Sequence, residues 1–272
     1  MKKVLSYILI IVLLVLLVAD TFEEEPVIRV QLPHGAVLHV LPASKKKQAH
    51  GAVILCPGGG YGYLERWYEG RQWFPFFHSQ GFAVSMLEYR LPNHNHQNPV
   101  IDGVEAIRLM RKHAKEWGFD SNNVGVVGFS AGGHLASTLM VNDKLSSRPD
   151  FGILFYPVIS MKKELTHKGS HDNLLGGNAS EQLENRYSNE LHVSDHTPPA
   201  YIVVCSNDQI VNPQNAMLFY EEMRAKKCPV TLRVYPSGGH GWGFRPTFAY
   251  HEQMLEDLTK WLNNRKYLHY LH

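Results

Sequence analysis

The chain has 272 residues, of which 44% are hydrophobic and 11% aromatic, enough to bury one large α/β core or two small ones. Its formal net charge at pH 7 is only +2, from 27 Lys and Arg against 25 Asp and Glu with no basic stripe, which disfavours nucleic acid as a partner. Three cysteines are too few for a disulfide framework, and no pair of Cys56, Cys205 and Cys228 has metal-ligand spacing; they read as small buried hydrophobes, with one disulfide left open if the chain is exported.

At the N-terminus, Lys2-Lys3 precede the twelve-residue apolar segment Ile8–Ala19, the layout of a secretory signal and shorter than the roughly 20 residues of a spanning helix. Residues 1–22 are therefore expected to be a signal peptide or an N-terminal membrane anchor, with a buried helix as the competing reading. Leu17 and Ala19 satisfy the small-x-small cleavage preference only in part, and no cysteine follows to carry a lipid. The expected location is periplasmic or secreted, with any membrane contact made through this segment.

Next, Val27–Gln31 and Ala36–Leu41 flank Pro33-His34-Gly35 and predict an antiparallel hairpin, and Lys45-Lys46-Lys47 predict a solvated loop. Apolar strand candidates then alternate with helical periodicity. The strands are Ala52–Cys56, Phe82–Tyr89, Asn123–Phe129, Phe151–Tyr156, Ala200–Cys205 and Thr231–Tyr235. Ile101, Val104, Ile107, Met110, Ala114 and Trp117 recur every three to four residues and define one buried helical face. A second helix is expected to start at Asn212 as N-cap with Pro213 at its first position, burying Ala216, Tyr220 and Met223. The last runs from about Ala249, with Met254, Leu255, Leu258, Trp261 and Leu262 inward. This alternation predicts a single α/β domain over residues 23–272, with a doubly wound, mostly parallel central sheet. Met161–Pro199 breaks the pattern with polar residues, and predicts either a small cap over one end of the sheet or a surface excursion.

The string Gly128-Phe-Ser-Ala-Gly-Gly133 follows a β-branched strand and precedes a helix-compatible run, the setting of a Gly-x-Ser-x-Gly nucleophile elbow. Such a turn lifts the Ser130 hydroxyl above the sheet and aims the Ala131 N–H at an oxyanion. Open α/β sheets place their sites beyond the carboxyl ends of the strands. Three further loops fall at that edge: Pro57-Gly-Gly-Gly-Tyr61, Ser206-Asn207-Asp208 and Gly238-Gly239-His240-Gly241. The glycine turn offers bare N–H groups, so Gly59 and Gly60 join Ala131 as candidate oxyanion donors. It lacks both the lysine of a phosphate-binding loop and the dinucleotide spacing.

A neutral serine hydroxyl needs a base within hydrogen-bond reach. Among sixteen histidines, His240 is singled out by its glycine-flanked loop after the last strand. Asp208 is the expected partner that orients the imidazole, with Asp172 and Asp195 as rivals inside the irregular insertion. The order Ser130, Asp208, His240 is that of the α/β-hydrolases. His134 is expected to pack or hydrogen-bond beneath the site, and Asp102, Arg90 and Arg108 to form structural ion pairs. His94 and His96 have no third ligand nearby and predict surface positions, and hydrolysis through a serine and its base is expected to need no metal and no organic cofactor. Of the aromatics Tyr61, Tyr63, Trp67, Tyr68, Trp73, Trp242 and Phe244, most are expected to pack as core; Tyr61, Trp67 and Trp242 are the candidate substrate contacts.

Several strings together resemble the α/β-hydrolase carbohydrate esterases of gut bacteria: Pro57–Tyr61, Glu69-Gly70, Glu88-Tyr-Arg-Leu-Pro92, residues 128–136, Tyr156-Pro-Val-Ile159, Asn173-Leu-Leu-Gly176 and Gly239-His-Gly241. That group includes acetylxylan esterases and the bifunctional acetyl/feruloyl type. The resemblance covers about Ala52 to Trp261, departing at Asn212-Pro213, where a Pro-Pro pair is common. It implies the α/β-hydrolase fold with an N-terminal antiparallel hairpin, and the triad roles already argued. It also implies hydrolysis of short acyl esters, above all acetyl, on xylan or xylo-oligosaccharides, or on another small ester substrate. A general carboxylesterase or exopeptidase of the same fold, and a catalytically silent binding protein, are the alternatives.

Overall fold

The structure is a computed structural model that describes residues 26–44, 50–93 and 95–264. The expected signal segment, Lys45–Lys47 and His94 lie outside the described residues. Among the described residues no helix is long and apolar enough to cross a membrane.

Eight strands form one sheet in the order β1-β2-β4-β3-β5-β6-β7-β8. β1 (Ile28–Gln31) and β2 (Val37–Leu41) make the expected antiparallel hairpin, turned by a short 3₁₀ segment over Pro33–Gly35. β2 then pairs antiparallel with β4 (Phe82–Glu88), and every later pairing is parallel. The inner strands β3 (Gly51–Cys56), β5 (Val124–Phe129), β6 (Phe151–Phe155) and β7 (Ala200–Cys205) are buried along their whole length. Their continuous apolar runs are what a sheet covered on both faces requires. β8 (Val230–Tyr235) closes one edge.

Pleating sends alternate residues into two apolar layers. In β3, Ala52, Ile54 and Cys56 face one cluster, and Val53 and Leu55 the other. On the first face pack α2 (Asn98–His113), α3 (Ala131–Val141) and α6 (Gln214–Ala225); on the second, α1 (Phe74–Ser79) and α7 (His251–Asn264). β3 lies between β4 and β5, so the crossover from β3 to β4 and the next from β4 to β5 run in opposite directions and open a crevice at the carboxyl end of β3.

Several expected boundaries shift. On α2, Ile101 is 38% exposed rather than buried, because Leu139 of α3 meets the helix at Gly103 instead, and Trp117 packs from the turn beyond its end. α6 starts one residue later than expected: Pro213 is its N-cap, and Asn212 Oδ1 accepts from Gln214 N–H. Phe219 takes the buried position expected of Tyr220, which is half-buried, and Leu255 of α7 is half-buried too. The strand after Asp150 stops at Phe155 because Tyr156 turns to φ 37°.

The insertion folds into α4 (Lys168–Leu175), α5 (Glu181–Tyr187) and a 3₁₀ turn at Asn189–His192. It is tied to the body by buried amides. Asn189 Nδ2 donates to His134 O and the Ser137 and Thr138 hydroxyls, and Asn215 Nδ2 donates to Leu165 O. Bonds of this kind hold the insertion as a fixed layer over the elbow helix.

Candidate active site

The chain reverses from β5 into α3 at Ser130, whose φ of 52° and ψ of −119° no ordinary strand or helix residue adopts. A non-glycine residue held there carries strain of order 1–3 kcal/mol, and persists only where its surroundings enforce it. They do so by close approach. A Cβ on Gly132 would overlap the carbonyl oxygen of Cys56, and one on Gly133 would lie 2.7 Å from Pro157 Cβ. Ser130 N–H donates to Phe155 O, and Ser130 O accepts from His134 and Val158 N–H. The elbow is thereby clamped between the ends of β3 and β6.

His240 Nε2 lies 2.8 Å from Ser130 Oγ, and His240 Nδ1 2.7 Å from Asp208 Oδ2. Asp208 is buried, and its other oxygen accepts Ile210 N–H at 2.9 Å and Val211 N–H at 3.0 Å. A carboxylate fixed in this way accepts from Nδ1–H and leaves Nε2 as the acceptor toward Ser130. The loop carrying His240 is held by Gly239 N–H donating to Asn207 Oδ1, and its ring packs edge-on against Tyr156. The rival acids are elsewhere: Asp172 binds Lys168 and His171, and Asp195 is exposed beside His196.

The glycine turn borders the same hydroxyl. Gly58 N–H is spent on Glu69 Oε2 at 2.8 Å. By contrast, the N–H groups of Gly59, Gly60 and Ala131 donate to no partner among the described residues. Gly59 has φ 117°, and a Cβ there would overlap Tyr63 O, so the turn admits only glycine.

Sequence reasoning missed the link between these loops. Tyr156 hydroxyl donates to Glu69 Oε1 at 2.9 Å and accepts Gly243 N–H at 2.9 Å. Gly58, Glu69, Tyr156 and Gly243 thus join the glycine turn to the histidine loop through one buried carboxylate. Burial pushes the Glu69 carboxyl up; Gly58 N–H, the Tyr156 hydroxyl and the His240 charge pull back without cancelling it. A carboxyl raised in the fold favours the native state fully below its ordinary value of 4.5 and loses that stability as pH rises through the folded value. Glu69→Ala would leave the Gly58 donor buried without a partner, an expected loss of about 2–5 kcal/mol in urea unfolding at pH 7. The loss of stability on going from mildly acidic to neutral pH should be smaller in Glu69→Gln than in wild type; equal slopes would show that the carboxyl does not titrate in this range.

Two candidate substrate contacts are corrected. Tyr61 is only 3% exposed, because its hydroxyl bonds His134 Nδ1 at 2.9 Å beneath the site. His134 Nε2 bonds Tyr187 O, and burial holds its pKa down at about 4, so it is neutral and structural as expected. Trp242, 4% exposed, stacks on Phe248 at 4.2 Å between ring centroids and belongs to the core. Trp67 is open, 57% exposed, and Tyr63 beside it is 63% exposed. His96 bonds the Tyr187 hydroxyl, Arg90 grips Asp102 and Arg108 pairs with Glu105. The three cysteines are free and buried. Among the described residues, no three His, Cys, Asp or Glu side chains converge as metal ligands.

The BD-FAE family model matches residues 38–223. An acetylxylan esterase of Xylanibacter ruminicola is 42% identical over 217 residues, 78% of this chain and 45% of the relative. Endo-1,4-beta-xylanase B of Butyrivibrio fibrisolvens is 33% identical over 204 residues, 70% of this chain and 32% of that protein. The chain spans less than half the length of either relative. The crystal structure of an acetyl ester-xyloside bifunctional hydrolase from Caldicellulosiruptor lactoaceticus superposes with a TM-score of 0.79 at 31% identity, covering 91% of this chain and 94% of that one. With the elbow, the sheet order and these matches in agreement, the chain belongs to the BD-FAE family of the α/β-hydrolase superfamily.

Proposed function

We propose that the protein is a serine esterase that removes acetyl groups from xylan or xylo-oligosaccharides through an acyl-enzyme. The observation that carries the reading is the contact chain from Ser130 Oγ to His240 at 2.8 Å and from His240 to Asp208 at 2.7 Å. In this mechanism His240 Nε2 takes the hydroxyl proton as Ser130 Oγ attacks the ester carbonyl carbon. Negative charge develops on the carbonyl oxygen, and the unspent N–H groups of Gly59, Gly60 and Ala131 are the donors suited to receive it. As the C–O bond breaks, the imidazolium returns its proton to the departing sugar oxygen. Water, deprotonated by the same imidazole, then attacks the acyl-enzyme, releasing acetate and restoring Ser130.

The names of the relatives support the choice of acetylated xylan, and the exposed Trp67 and Tyr63 supply flat apolar faces on which sugar rings stack. Residues 1–22 would deliver the enzyme to the periplasm or beyond, and N-terminal sequencing of the exported protein decides between cleavage and retention. The activity test compares acetate release from acetylated xylan and xylo-oligosaccharides with hydrolysis of p-nitrophenyl acetate and of aminoacyl anilides. Acetate release from the carbohydrates is the expected result. Turnover of the anilides alone would identify an exopeptidase and overturn the reading.

A further inference from the structure

The insertion touches the glycine turn at two points. Asn173 Nδ2 donates to Gly60 O at 2.8 Å, and the His167 ring edge lies over the open face of Gly60, with Cε1 3.7 Å from where a Cβ would stand. His167 is the N-cap of α4: its Nδ1 accepts Ser170 N–H at 3.2 Å, with Ser170 Oγ also within 2.9 Å. A nitrogen that accepts a backbone N–H carries no proton of its own. The proton of the neutral ring therefore sits on Nε2, which has no hydrogen-bond partner among the described residues. Burial and the His240 charge hold the imidazole below the ordinary histidine value, with Asp208 opposing.

The acetyl group presents one polar atom, its carbonyl oxygen, and backbone amides are already available for it. A side-chain donor beside Gly60 is therefore matched to the alcohol half of the ester. We propose that His167 Nε2–H donates a hydrogen bond to an oxygen of the carbohydrate that bears the ester, making His167 a residue that selects polyhydroxylated over simple alcohols. The proposal rests on the esterase reading above.

His167→Asn separates this role from helix capping. Asparagine is a strong N-cap and retains an acceptor for Ser170 N–H, but it is too short to put a donor where Nε2 stands. The experiment measures kcat/KM on an acetylated xylo-oligosaccharide and on p-nitrophenyl acetate, and takes their ratio. In His167→Asn the ratio is expected to fall roughly tenfold, the usual worth of one such hydrogen bond. A ratio within twofold of wild type, in a folded His167→Asn protein, would reduce His167 to a helix cap and overturn the proposal. His167→Ala, which loses cap and donor together, should lower the ratio as far; an equal loss on both substrates would again indicate capping alone. If the wild type hydrolyses p-nitrophenyl acetate and leaves the oligosaccharide untouched, the carbohydrate reading fails and this inference with it.

Discussion

Ser130→Ala is expected to lower kcat for p-nitrophenyl acetate by roughly four to six orders of magnitude while leaving the protein folded. The substitution removes one oxygen atom, the atom that His240 Nε2 meets at 2.8 Å. Nothing structural depends on that oxygen: the elbow is held by the backbone N–H of Ser130 on Phe155 O and by its carbonyl, which receives His134 and Val158 N–H. The strained φ of 52° is a property of the backbone and persists with alanine. Thermal unfolding should therefore stay within about 1 kcal/mol of wild type, as for other changes that open no cavity. Residual hydrolysis would come from the amides around the carbonyl oxygen and from binding. Steady-state rates beside a melting curve make the measurement, and a folded Ser130→Ala protein with wild-type turnover would remove Ser130 from the reaction.

The second large effect is expected at Asp208, where the isosteric change Asp208→Asn should cost about 10⁴ in kcat through the histidine tautomer. One carboxylate oxygen already accepts Ile210 and Val211 N–H at 2.9 and 3.0 Å, so the amide oxygen of the introduced asparagine must take that place. Its NH₂ then faces His240 Nδ1 at the position where Oδ2 accepts now. Two donors cannot share that contact, so Nδ1 gives up its proton and becomes the acceptor. The proton moves to Nε2, which then donates to Ser130 Oγ and is no longer a base. The loss should be nearly the same for every ester, because the alcohol and acyl groups do not enter the argument. Comparing kcat for acetate, propionate and butyrate esters checks this. A loss of less than tenfold would mean that His240 takes its orientation from other groups.

Much of the site was legible because it is punctuated by local chemistry. Gly-x-Ser-x-Gly after a β-branched strand can form one kind of turn, and Asp208 and His240 stand out as the side chains carried just beyond the carboxyl ends of two apolar runs. The hairpin and the doubly wound sheet are readable from period and alternation in the same way. Errors came where periodicity has no say. Tyr61 and Trp242 differ little from Trp67 in type and setting, yet the first two are buried and the last is exposed. Partners distant in sequence decide this: His134 takes the Tyr61 hydroxyl, and Phe155 and Tyr156 meet the Trp242 ring edge-on. Glu69 carried no readable role, because its two partners, Gly58 and Tyr156, belong to two other loops.

By itself, the order of residues determined the sheet, the elbow and the identity of the three side chains at its rim, since each depends on backbone sterics and hydrogen bonding within a few positions. Only the tertiary structure decided that Glu69 ties the glycine turn to the histidine loop, that the insertion is pinned over α3, and that His167 leans on Gly60. Those contacts join residues from about ten to more than a hundred positions apart, and no short-range rule of chain conformation reports on them.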